Sequence, residues 1–180
     1  RRQLRSLWST QVVWTRVYLI SAIGQLTDTE AAAGRLLQNQ QRLGDAIKPV
    51  YGNASGDALA ALLREHIGFT LEVVTAARAG DPQILAAARA RWSDNADAIT
   101  VLVAGDATPP QAELKRLLRT HLELTYAEAS ARISGDWAAD ALAFDADRYR
   151  LVASRADPRR LRDLPGRRLA VQAGDDEAAE

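Results

Sequence analysis

Polar side chains recur inside the apolar stripes of this chain, at a similar depth in each. In the first segment, Leu4, Trp8, Gln11, Thr15, Tyr18 and Ala22 step by fours and threes, the spacing of one helix face. The same steps run through Leu36, Asn39, Leu43 and Ile47, then through Leu59, Leu63, His66, Thr70, Val73 and Ala77. They continue through Trp92, Asn95, Ile99 and Leu102, through Leu114, Leu118, His121, Thr125, Glu128 and Arg132, and through Trp137, Asp140 and Phe144. No run of alternating β-branched residues is long enough for a sheet, so the pattern predicts an all-α bundle of about six helices.

The stripes repeat. LLREHIGFTLEVVTAARAGD at 62–81 and LLRTHLELTYAEASARISGD at 117–136 share Leu-Leu-Arg-x-His, a later Thr and a final Gly-Asp at a constant offset of 55 residues. A fainter copy opens the chain, with Gln11 in place of histidine. The expectation is one domain, 1–157, of three pseudo-repeated antiparallel hairpins at about 4–50, 57–104 and 109–156. Thr27 to Glu30 has the form of a capping box for the second helix, which Pro49 should end. Tyr51, Gly52 and Gly56 should then form a loop before Asp57 caps the third. Gly80-Asp81-Pro82 and Gly135-Asp136 predict tight turns, and Thr108-Pro109 opens the fifth helix. From 158 to 180 the pattern fails, and a charged C-terminal tail, solvated or disordered, is expected.

Composition narrows the function classes. The 180 residues are 47% apolar, enough for one filled core, and Lys+Arg and Asp+Glu balance at 23 each, so no global field favours a nucleic-acid partner. Cysteine is absent, which removes disulfides and thiolate chemistry. The most apolar stretch, Val12 to Ile23, is interrupted by Arg16 and is shorter than the ~20 residues of a transmembrane helix. Methionine is absent too, which fits removal of an upstream segment such as a signal peptide. Trp8, Trp14, Trp92 and Trp137 sit at helical spacing and are expected in the core or at hairpin contacts.

The chemistry concentrates in the shared polar level. If the hairpins pack side by side, Gln11, His66 and His121 meet Asn39, Asn95 and Asp140 from their partner helices, with Thr15, Thr70 and Thr125 one turn on. A buried amide or imidazole without a partner costs ~1–3 kcal/mol, and a carboxylate more. Asp140 therefore needs a protonated histidine, an arginine or a metal. Three readings follow. In the favoured one, a non-enzymatic bundle binds a metal ion or small polar ligand, with His66, His121 and Asp140 as ligands for a divalent Zn, Fe or Mn ion. In the second, the same centre is a metal-dependent enzyme with Glu128, two turns after His121, as general base. In the third, the polar groups are a buried network that fixes helix register.

The strings LWSTQVVWTR at 7–16, RLLQNQQRLGDAIKPVYG at 35–52, LLREHI at 62–67, WSDNADAI at 92–99 and HLELTYAEASARISGDWAADALAFD at 121–145 resemble a family of uncharacterised bacterial helical proteins. Its members are often labelled glycosyltransferase or acetylglutamate kinase by automatic transfer. Either activity would need an α/β nucleotide-binding domain, and the chain has no strand-glycine-helix unit. The resemblance implies export, with a cytoplasmic location the alternative. It also implies a three-histidine polar centre, of which His66 and His121 are matched and Gln11 is not; Asn39, Asn95 and Asp140 match.

Overall fold

A computed structural model describes residues 2–104 and 108–153, and the expected tail at 158–180 lies outside them. The described residues form five helices, α1 (Arg2–Gly24), α2 (Thr29–Ala79), α3 (Pro82–Ala104), α4 (Thr108–Ser134) and α5 (Trp137–Ala153). Each packs on the next, and α5 returns to α1, so the helices close into a ring around the apolar stripes. No helix is long and apolar enough to cross a membrane.

At 51 residues, α2 takes in what the sequence predicts as two helices. The expected loop shrinks to Gly52, whose φ of 83° and ψ of 165° are the only non-helical pair inside α2. Only glycine enters that region without a Cβ penalty. Pro49, lacking an N–H, loosens the helix just before it, and the chain doubles back. The returning arm lies against the first: Lys48 pairs with Asp57 at 2.8 Å, and the Arg64 guanidinium donates to Gln41 at 3.1 Å. Gly44 and Gly56 make the close approach possible, because a Cβ on either would run into the backbone of the other. Asp57 is therefore a cross-arm partner of Lys48, and not the helix cap that its place in the sequence suggests.

The other turns follow local rules. Gly80 and Gly135 take φ of 72° and 78° at helix ends. The Asp81 side chain accepts from the backbone N–H groups of Gln83 and Ile84, and Asp136 from Ala139. The capping box at Thr27 to Glu30 does not form. Asp28 holds the cap position with no side-chain cap bond, and the Thr29 hydroxyl turns back to the Leu26 carbonyl.

Leu43, Ile47, Leu59, Leu63, Val73, Trp92, Ile99 and Leu118 build the main core, and Tyr18, Leu36 and Ile67 a second cluster. Trp92 is the buried tryptophan expected. Trp137 is not, being 63% exposed at the start of α5 with the Arg132 guanidinium over its ring.

Candidate functional site

Gln11, Asn39, His66, Asn95, His121, Glu128 and Asp140 are all buried, as are Thr15, Thr70 and Thr125. They are divided among three pairs of partners and one charge cluster.

In the first pair, Gln11 Oε1 accepts from Asn39 Nδ2 at 3.1 Å and from Gln40 Nε2 at 2.6 Å, while Gln11 Nε2 reaches the Thr15 hydroxyl at 3.5 Å. Asn39 Nδ2 also donates to the Leu7 carbonyl, four residues before Gln11. Asn39 Oδ1 and Gln40 Oε1 have no hydrogen-bond partner, although both residues are fully buried.

The second pair repeats this geometry with a better fit. Asn95 Nδ2 donates to the carbonyl of Leu62, four residues before His66, which turns its Oδ1 to the imidazole at 2.9 Å. An amide oxygen only accepts, so His66 Nδ1 carries the proton. The Trp92 indole N–H donates to His66 Nε2 at 3.1 Å, and an indole nitrogen only donates, so Nε2 is the bare lone pair. The ring is thereby held neutral. Burial, aided by the charge of His121, pushes its pKa down to about 4.

The third pair changes chemistry. His121 Nδ1 lies 2.9 and 2.8 Å from the two carboxylate oxygens of Asp147, a residue the sequence pattern does not single out. Both groups are buried. Burial opposes a charged ring, but the charge and hydrogen bond of Asp147, with the charge of Glu128, outweigh it and raise the His121 pKa above the ordinary value. The His121 ring stacks on His66 with centroids 6.3 Å apart, so the two histidines do share one level.

Asp140 does not join that level. Arg16, from α1, grips both of its oxygens at 2.9 and 3.2 Å and reaches Glu128 at 2.8 Å, and Arg132 takes Asp140 from the other side at 2.7 Å. The cation that Asp140 requires is thus a pair of arginines. Arg16 also lies over the Phe144 ring, 4.6 Å from its centre. Burial pushes the Glu128 carboxyl up to about 7 against the pull of Arg16, with Asp140 and Asp147 adding to the rise.

His66, His121 and Asp140 are therefore not a ligand set. His66 has both nitrogens engaged, Asp140 is bound by arginine, and no group of three or more His, Cys, Asp or Glu side chains among the described residues could hold a metal ion. Glu128 bonds to Arg16 and lines neither of two surface hollows, of which only the second reaches the polar centre, through Trp92. One follows the turn from Ala79 to Gln83, and the other is a groove between α3 and α4 over Trp92 and Leu122. No family model matches the chain, and comparison with curated proteins and with solved structures returns no match.

The separations would have pointed to Asp147. Gln11 to Asn39 and His66 to Asn95 are 28 and 29 residues apart, and Asp147, 26 residues after His121, fits that interval far better than Asp140. Arg16, the lone charge in the most apolar stretch, was the signal for buried carboxylate partners.

Proposed function

We propose that this chain is a non-enzymatic helical bundle whose polar centre is a hydrogen-bonded network that fixes helix pairing and register. The observation that carries this reading is the double engagement of His66, whose only two ligating atoms are taken by Asn95 and Trp92. A register role suits such groups, because a one-turn slip would leave each of them buried without a partner, at ~1–3 kcal/mol apiece. The three pairs are copies of one unit in this reading. It spans α1 with the first arm of α2, the second arm with α3, and α4 with α5, and the Asn-to-carbonyl bond found in the first two supports the equivalence. Kinship with the uncharacterised helical family fits as well, while the transferase and kinase labels need a sheet and the described residues are helical.

Metal analysis by mass spectrometry on protein purified without an affinity tag, beside His66→Ala and His121→Ala, tests the proposal. The expected result is no retained metal in the wild type, even after reconstitution with Zn, Fe or Mn, and lower stability in both variants. Near-stoichiometric metal lost in both variants would overturn it. A second reading, a small polar ligand at the centre, is favoured by the two unpartnered acceptors, Asn39 Oδ1 and Gln40 Oε1. Such a ligand would have to donate hydrogen bonds to both, as an ordered water could.

A further inference from the structure

The α1–α4–α5 seam has an odd charge count. Arg16 and Arg132 supply two positive charges, and Glu128, Asp140 and Asp147 three negative ones, all three carboxylates being buried. His121, bonded to Asp147, is the remaining titratable group in the cluster. Neutrality thus requires one proton, held either by Glu128 or by His121. Among the described residues, no further charged side chain from α2 or α3 bonds to this cluster. From α2 comes His66, locked neutral by Trp92 and Asn95. From α3, Asp97 pairs with Lys115 and Arg119 on the outer side of α4, and Arg89 stacks on Tyr126. The remaining charged side chains described on α4 and α5 are exposed.

The partners of His121 differ in kind from those of His66. Three residues before Asn95, Trp92 plugs His66 Nε2; three residues before Asp147 stands Phe144, which has no donor to offer. The carboxylate of Asp147 in place of an amide then favours an imidazolium. Two of the three acids, Asp140 and Asp147, sit on α5, and Arg16 ties α5 to α1 through Asp140 and Phe144.

We propose that this cluster is a proton-operated latch, which holds α5 against α1 while one proton is shared between His121 and Glu128 and loosens α5 when that proton leaves. The proposal rests on the network reading above. Loss of the proton leaves an uncompensated negative charge in a buried seam, and α5 carries the repelled groups. Because His121 is raised above its ordinary value of 6.5, the stabilisation is complete below 6.5 and is lost as pH rises through the folded value.

Amide hydrogen exchange on the full chain from pH 6 to 9 tests this, read as protection in α5 relative to α3 so that the intrinsic pH dependence of exchange cancels. The expected ratio falls several-fold per pH unit above 6.5, with a limit of about tenfold for one proton. Glu128→Gln and Asp147→Asn each make the cluster neutral with no proton, so each should flatten the fall. A ratio constant across the range, or a fall undiminished in both variants, would overturn the latch. Failure of the network reading appears separately, as stoichiometric metal in the same samples.

Discussion

His66 and His121 occupy the same place in two copies of one sequence repeat and stack on each other, yet their surroundings shift their pKa values in opposite directions. Burial acts on both and disfavours the charged ring in both. The difference is in their partners. His66 faces an amide oxygen and an indole N–H, which between them use both ring nitrogens of the neutral form and leave no compensation for a second proton. His121 faces a carboxylate, and all its hydrogen bonds among the described residues are made through Nδ1. Asn95 and Trp92 around one ring, and Asp147 beside the other, separate a neutral hydrogen-bonded imidazole from one whose pKa is raised. Desolvation alone says little about the charge of a buried histidine; the donor and acceptor inventory of its neighbours decides it.

The most forceful way to break the comparison is to remove the cation on the His121 side. Arg16→Ala leaves Glu128 and Asp140 buried with only Arg132 to answer them, and should cost about 3–5 kcal/mol in chemical denaturation, the usual cost of breaking a buried ion pair. Arg132→Ala should cost clearly less, because Asp140 keeps both bonds to Arg16. Equal losses in the two variants would mean that Arg16 is not the centre of the cluster.

Acid should strike the other side. The folded pKa of His66, about 4, lies below the ordinary 6.5, so neutral His66 contributes stability that is fully present above 6.5 and lost as pH falls toward 4. Spread over that window, the loss amounts to roughly 3 kcal/mol. Trp92→Phe with Asn95→Asp should abolish it by giving His66 the environment of His121, and an unchanged acid limb of the stability curve in this variant would refute the lock.

The exchange also runs the other way. Phe144→Trp with Asp147→Asn carries the second hairpin's partners to the third, and ring NMR titration should then find His121 below its ordinary value. A pKa still raised would show that partner identity does not set the charge. The smallest effect belongs to the first hairpin, where Gln11→His offers Asn39 Oδ1 the donor that Asn95 Oδ1 receives from His66. Satisfying that acceptor should add about 1 kcal/mol in thermal or urea unfolding. A variant no more stable than the parent would deny that the first and second pairs are equivalent.

Much of this was legible in the chain. Helical periodicity placed Gln11, Asn39, His66, Asn95, His121 and Glu128 on buried faces, because a face that packs must repeat at the helix period whatever it packs against. The glycine and aspartate signals at 80–81 and 135–136 gave the turns for an equally local reason, since φ and capping depend on neighbours in sequence. What required the tertiary structure was pairing between helices. Asp140 and Asp147 are two turns apart on the same face of α5, and only the position of Arg16 on α1 decides that the first meets arginine and the second histidine. The reversal at Gly52 likewise depends on Gly44 and Gly56 meeting across two arms. Periodicity fixes which side of a helix is buried, within a few neighbouring residues. The choice of partner, and with it the protonation state of each buried group, depends on how far each helix slides along the next, a distance that only packing sets.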